Sequence, residues 1–139
     1  MILTEKIMLQ TKGHGDTLDI TSQVARVVAG STVKNGLVTI FIIGSTAAIT
    51  TIEFEPNLVR DFLGAWDNIA PENQDYHHDK AWGDNNGYAH IRASILGPSL
   101  MVPFKDGELM LGTWQQIVAV DFDNRPRERQ VVIQIMGES

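Results

Sequence analysis

Leu37-Val38-Thr39-Ile40-Phe41-Ile42-Ile43 carries no charge, no proline and no glycine, and five of its seven residues are β-branched. Lys34-Asn35-Gly36 precedes it as a turn signal and Gly44 ends it. A near-continuous apolar run of this length predicts a central strand buried on both faces. No other feature constrains the fold as tightly.

The flanking sequence sorts into further elements. Ile2 to Thr11 alternates imperfectly and reads as a first strand. Residues 19–28 place apolar side chains near a 3.6 period, with Asp19 or Thr21 as N-cap and Gly30 as the stop. Ala47 to Phe54 resumes strand character. Glu55-Pro56-Asn57 opens a helix over 57–69 that sets Leu58, Phe62, Leu63, Trp66 and Ile69 on one stripe, and Pro71 closes it. Tyr88 to Leu96 reads as a helix started by Asp84 or Asn85 and stopped by Gly97-Pro98. The rest predicts a β meander. Ser99–Phe104 and Glu108–Leu111 should pair around Lys105-Asp106-Gly107, and Thr113–Asp123 and Arg129–Met136 around Asn124-Arg125-Pro126. The expectation is one α+β domain over residues 1–139, mostly antiparallel sheet.

Composition excludes several function classes. The chain has no Cys, so disulfides, iron–sulfur clusters, thiolate zinc sites and Cys nucleophiles are ruled out. A net charge of −6 weighs against nucleic acid as a partner. No apolar run reaches the roughly 18 residues of a membrane helix, and Met1 to Lys6 lacks a signal-peptide profile. These features fit a soluble, cytoplasmic protein.

Chemistry-bearing residues concentrate between Tyr76 and His90, which holds three of the four histidines among carboxylates, amides and aromatics. Imidazoles titrate near neutrality and bind metals, so this run reads as a site wall; the alternative is a set of satisfied polar or surface histidines. Asn86 and His90 are four apart and share a helix face. His78 preceding that helix can meet His90, and with Asp79 or Glu53 would make a nitrogen–oxygen set for zinc, manganese, nickel or iron. Gly44-Ser45-Thr46-Ala47 places two hydroxyls after the most apolar strand, where Ser45 and Thr46 can bond a phosphate or carbonyl, or simply form a bend. Trp114 and Gln115 should face opposite sides of a strand, leaving the amide free to line a pocket if the indole is buried. Arg125-Pro126-Arg127-Glu128-Arg129 is either a solvated turn or an anion clamp.

Taken in order, Gly44 to Glu53, Tyr76-His77-His78, Asn86 to His90, Leu96-Gly97-Pro98-Ser99 and Leu111-Gly112-Thr113-Trp114-Gln115 resemble the YjbQ-type family, whose members carry the working label of secondary thiamine-phosphate synthase. The resemblance spans nearly the whole chain, with the Leu-Gly-Thr-Trp-Gln segment its most specific part. It implies a β-sandwich with two or three helices packed on it, a homotrimer, and a His-containing cleft near or between subunits that often holds a metal ion. His78 and His90 match the family's two downstream histidines, Glu53 its acidic position, and Trp114-Gln115 its Trp-Gln pair. One position departs: Gly44 stands where many members have histidine, which removes a ligand from a three-histidine site.

Two functional readings follow. The first is an enzyme that condenses a pyrimidine methyl diphosphate with a thiazole phosphate. Catalytic roles would fall to Glu53, His78, His90 and Gln115, and substrate contacts to Ser45, Thr46, Asn86, Trp114 and Arg127. A divalent ion, zinc or magnesium, would sit on His78 and His90. The second is a trimeric small-molecule or metal-binding protein with no turnover of its own, favoured by the absence of a recognisable nucleophile–base pair.

Overall fold

In the computed structural model, which describes residues 1–139, the chain runs β1 (Ile2–Thr11), β2 (Asp16–Asp19), α1 (Thr21–Gly30), β3 (Asn35–Ile42), β4 (Ala47–Ile52), α2 (Pro56–Ile69), α3 (His77–Trp82), α4 (Gly87–Leu96), β5 (Ser99–Lys105), β6 (Glu108–Leu109), β7 (Gln116–Asp121) and β8 (Arg127–Glu138). A five-stranded sheet has the order β1-β8-β3-β5-β6 and a three-stranded sheet the order β2-β7-β4. Every strand pair is antiparallel. The α+β class and the two principal helices are as expected from the periodicity.

Two clusters of buried side chains define the layers. Val38, Ile40 and Ile42 of β3 and Val131, Ile133 and Ile135 of β8 meet Ile49, Ile117 and Ala119 of the smaller sheet, with Val24 and Val28 of α1 filling one end. The opposite face of the smaller sheet, Ala48, Val118, Val120 and Phe122, packs on Trp66 of α2 and on Tyr88, Ala89 and Ala93 of α4. The Trp66 ring stands edge-on to Phe122, with centroids 5.3 Å apart, a favoured aromatic arrangement. The small sheet is therefore the middle layer, between the larger sheet and α2 with α4.

That layering corrects the expectation for the apolar run. β3 is buried on one face only, and Leu37 and Phe41 on the other are each 41% exposed. The strand buried on both faces is β7, where every residue from Ile117 to Asp121 is buried. A second correction concerns the predicted pairing of residues 113–123 with 129–136. β7 pairs with β2 and β4, while β8 pairs with β1 and β3. The turn at Asn124-Arg125-Pro126 is a corner between sheets rather than a hairpin, because buried acids near its start bond arginines at the start of β8.

Helix ends follow local chemistry. The Glu55 carboxylate accepts from the amides of Asn57 and Leu58 at 3.0 and 2.7 Å and caps α2. These bonds hold its pKa below the usual value. Asp19 Oδ1 accepts from the Thr21 amide and hydroxyl at the entry to α1. The helix α3 lies in a stretch with no predicted element, and it buries none of its residues. Gly83, with φ of 74°, ends it in the left-handed region.

Gly36 of β3 faces Gly137 of β8. A Cβ on Gly36 would stand 2.1 Å from the Met136 carbonyl oxygen, and one on Gly137 the same distance from that of Asn35. Gly36→Ala should therefore destabilise the sheet by about 1–3 kcal/mol, the usual range for overpacking. Urea denaturation checks this; an unchanged midpoint would show that the pair can separate freely.

Candidate functional site

α3 and α4 bring two imidazoles together. The rings of His78 and His90 lie with centroids 4.5 Å apart and planes tilted by 44°. His78 Nδ1 is 3.4 Å from Asp79 Oδ1 and 3.4 Å from Asp84 Oδ1. Asp79 Oδ1 also accepts from the Gly87 amide at 2.9 Å and so ties the first turn of α4 to α3. Gly87 permits this approach, since a Cβ there would stand 2.9 Å from Tyr76 Cβ. Asp84, in the turn between the helices, is fixed by its carbonyl, which accepts from Asn124 Nδ2 at 2.7 Å. His77, also on α3, is exposed.

Beneath the imidazoles runs a buried polar network. Asp123 has no exposed surface. Its Oδ1 accepts from Asn86 Nδ2 at 3.2 Å and from the Asn124 amide at 2.8 Å. Its Oδ2 accepts from Thr46 Oγ1 and from Arg127 Nε, both at 2.9 Å. Burial pushes this carboxyl up, but the bonds from Asn86, Asn124, Thr46 and Arg127 outweigh it and hold the pKa at about 2. Asp121 pairs with Arg129 through contacts of 2.8 and 2.9 Å and accepts from Thr11 Oγ1 at 2.5 Å. Arg127 and Arg129 are thus committed to internal acids, unlike the exposed Arg125. Arg92 is buried and bonded to the Ala70 carbonyl at 2.9 Å.

His90 sits between opposing influences. Burial lowers its pKa and the neighbouring His78 lowers it further, while Asp123, Asp84 and Asp79 pull it back only in part. Its ring is consequently neutral at neutral pH, the form that ligates a metal or accepts a proton.

Within one chain the expected constellation divides in two. His78, His90, Asn86, Thr46 and Arg127 gather around Asp123, with Ser45 exposed beside Thr46. Glu53, Trp114 and Gln115 lie at the other end of the small sheet. β4 runs from Ala47, opposite Asp121, to Ile52, opposite Gln116, a span of roughly 17 Å. There Glu53 and Trp114 border a separate cavity of about 390 Å³. Trp114 is 73% exposed, in a turn before β7, so the expected burial of the indole does not occur. Gln115 is held by Thr51 Oγ1 at 3.3 Å and the Gly112 amide at 3.1 Å. The β4 strand carries the two groups to opposite ends, which sequence proximity to the hydroxyl pair conceals.

Sequence reasoning missed Asp84 and the depth of Asp121 and Asp123. The signal available was an apolar strand ending in Asp121-Phe122-Asp123, followed by Arg127 and Arg129 at matching alternation. Buried carboxylates require such partners.

The donor set fits a divalent ion. Ligand atoms of His78, Asp79 and Asp84 all lie within 4.8 Å of one another, with the second imidazole alongside. Asn86 Oδ1 is buried without a partner at the foot of the same helix. Mixed nitrogen and carboxylate donors suit zinc better than magnesium, which prefers oxygen and water. Asp79 also borders a polar cavity of about 390 Å³ with Glu72, Asn85, Tyr88 and Asn124. Burial pushes the Tyr88 phenol up to about 12, and its hydroxyl has no partner. The largest cavity, about 470 Å³, lies by the loop at His14 against Phe54 and Leu63, and neither His78 nor His90 lines any of the cavities.

No helix is long and apolar enough to cross a membrane. Comparison with known proteins agrees with the fold. The family model described as "UPF0047 protein YjbQ-like" matches residues 5–138. A UPF0047 protein of Archaeoglobus fulgidus is 36% identical over 131 residues, covering 94% of this chain and 99% of its own. One from Methanothermobacter thermautotrophicus is 34% identical over 137 residues, covering 99% and 94%. The crystal structure of a YbjQ-like protein of unknown function from Sulfolobus solfataricus P2 superposes with a TM-score of 0.94 at 34% identity, covering 99% of each chain. The chain belongs to the UPF0047 YjbQ-like family.

Proposed function

We propose that the His78–His90 cleft binds a divalent cation and a small phosphorylated ligand, and that its chemistry is of the secondary thiamine-phosphate synthase type. The observation that carries this reading is the pair of imidazoles 4.5 Å apart with Asp79 and Asp84 in reach. In the reaction the thiazole nitrogen lone pair forms a new C–N bond to the pyrimidine methylene carbon. The C–O bond to the diphosphate breaks, and its electron pair leaves with the diphosphate. His78, His90, Asp79 and Asp84 would hold a cation, which would supply positive charge against that leaving group. Asn86, bonded to Asp123, fixes the start of α4 beneath the imidazoles, and the neutral His90 ring is in the form that would ligate the ion. A second reading, binding without turnover, is favoured by one observation: no side-chain hydroxyl bonds an imidazole, and His78 Nδ1 meets only carboxylates. Heat-shift screening against pyrimidine and thiazole phosphates, followed by product analysis, separates the two. Stabilisation with product formation supports the enzyme, stabilisation without it supports the binder, and neither sinks both.

The protein acts, in this proposal, as a homotrimer. Ile2, Met136, Leu37 and Pro103 stand abreast on four neighbouring strands, on the outer face of the larger sheet. Phe41 and Met101 extend the patch and are 41% and 58% exposed. A contiguous apolar face of this kind marks an interaction surface. Leu37→Glu with Phe41→Glu should convert the trimer to monomer in light scattering. A wild type that runs as a monomer at micromolar concentration contradicts the assembly.

A further inference from the structure

The cluster below the histidines has one donor edge that nothing in the chain uses. Arg129 is 7% exposed. Its Nε and Nη2 are engaged by Asp121 at 2.8 and 2.9 Å, and Nη2 also donates to Thr46 Oγ1 at 2.6 Å. A guanidinium has five N–H donors; those on Nη1 meet no acceptor in the chain. Nη1 is not among the buried atoms that lack a partner, so this edge of an otherwise buried guanidinium opens to solvent and is free to meet an external acceptor.

Gly44 determines where that edge faces. With φ of 131°, it adopts a conformation that side chains rarely take, and a Cβ there would stand 2.5 Å from Arg129 Nη1. The missing side chain leaves Nη1 lying against the Gly44 backbone. The main-chain amides of Gly44, Ser45 and Thr46 donate to nothing else in the chain. Gly44 and Ser45, though not Arg129, border a cavity of about 170 Å³ with Ala47, Ala93, Ser94 and Pro98. That is well below the roughly 300–1,000 Å³ of a whole-ligand pocket, so it suits a single group of a larger molecule. The cavity lies on α4 one turn beyond His90, whose carbonyl accepts from Ser94 Oγ at 2.7 Å.

We infer that Gly44, Ser45 and Arg129 Nη1 form an anion subsite that takes the phosphate group of a small phosphorylated ligand. The Arg129 guanidinium is oriented beforehand by Asp121, so little ordering is lost when it meets an anion. Asp121 and Asp123 are matched by Arg129 and Arg127, so the anion approaches a balanced cluster rather than bare carboxylates. The subsite deepens the proposed ligand cleft, and rests on that reading only for where the rest of the ligand lies.

The test is an amide-resolved NMR titration of the full chain with inorganic phosphate and with phenyl phosphate. Wild type should show saturable shifts at residues 44–46 and at the Arg129 side-chain Nε. Ser45→Ala, at an exposed position, should weaken binding roughly 2–10-fold, the worth of one hydrogen bond. Gly44→Ala should weaken it more than tenfold, with spectral dispersion showing that the fold persists. Should Gly44→Ala unfold, the Ser45→Ala result decides alone. Absent shifts at 44–46, or equal affinity in wild type and Ser45→Ala, overturn the subsite. His78→Ala separates this from the cleft as a whole. Phosphate affinity lost in His78→Ala but untouched by Ser45→Ala removes the Arg129 subsite and leaves the histidine cleft standing. The reverse pattern upholds the subsite without the cleft.

Discussion

Replacing Asp123 with alanine is expected to cost about 3–5 kcal/mol, the range for breaking a buried charge pair. For a chain of this size that lowers the melting temperature by roughly 10–20 °C. The carboxylate has no exposed surface and accepts from Asn86, Asn124, Thr46 and Arg127. Removing it strands the buried donors of Asn86 and Thr46, and unmet buried donors are costly. Asp123→Asn keeps the shape but turns an amide nitrogen toward donors, so a large part of the loss should remain. The pH dependence has a definite sign. The folded pKa, about 2, lies below the ordinary value of 3.8. The unfolded chain therefore binds the proton more readily. The resulting stability, about 2 kcal/mol, is fully present above about pH 4 and is lost as pH falls toward 2. Acid denaturation of wild type should show this loss, and Asp123→Asn should lack that portion of it. A variant as stable as wild type at pH 7 would mean that the network is solvated and carries little.

His78→Ala should lower zinc affinity at least 100-fold while leaving the melting temperature of the metal-free protein within a few degrees. The imidazole is 30% exposed and belongs to neither cluster of core side chains, so its loss opens no cavity. Its Nδ1 is the atom shared between Asp79 and Asp84. Without it the remaining acids and His90 lack the group that joins them. Each ligand of a zinc site contributes strongly because affinity depends on donor number and geometry. His77→Ala, one residue away on α3 and exposed, serves as the control and should retain the ion. Elemental analysis after dialysis, with calorimetric titration, checks both. Equal zinc content in His78→Ala and His77→Ala would place any metal elsewhere.

Elements governed by local chemistry were legible in the sequence. The Leu58 to Ile69 stripe and the Glu55-Pro56 start located α2, and Gly97-Pro98 located the end of α4. Layer assignment was not legible in the same way. The run Leu37 to Ile43 is apolar on both faces, but one face packs on the core and the other forms the exposed row with Met136 and Pro103. Periodicity cannot separate a core from an apolar outer surface, since both are hydrophobic. The β7 to β8 corner was misread because Asn124-Arg125-Pro126 has the composition of a hairpin turn, while long-range pairing of Asp121 with Arg129 sets the path of the chain. The short α3 buries nothing, so no apolar period announced it. The histidine pair was legible because imidazoles are scarce and cluster visibly. The separation of Glu53 and Gln115 from it was not, because it depends on the length and register of β4 against β7.

Imidazole-resolved long-range ¹H–¹⁵N NMR during titration with zinc tests the shared site most directly. The ring nitrogens of His78 and His90 are predicted to shift together and to saturate at one equivalent, with those of His14 and His77 unmoved. Independent shifts of His78 and His90 with different affinities, or no shift at either ring, would contradict a single site built from the two helices.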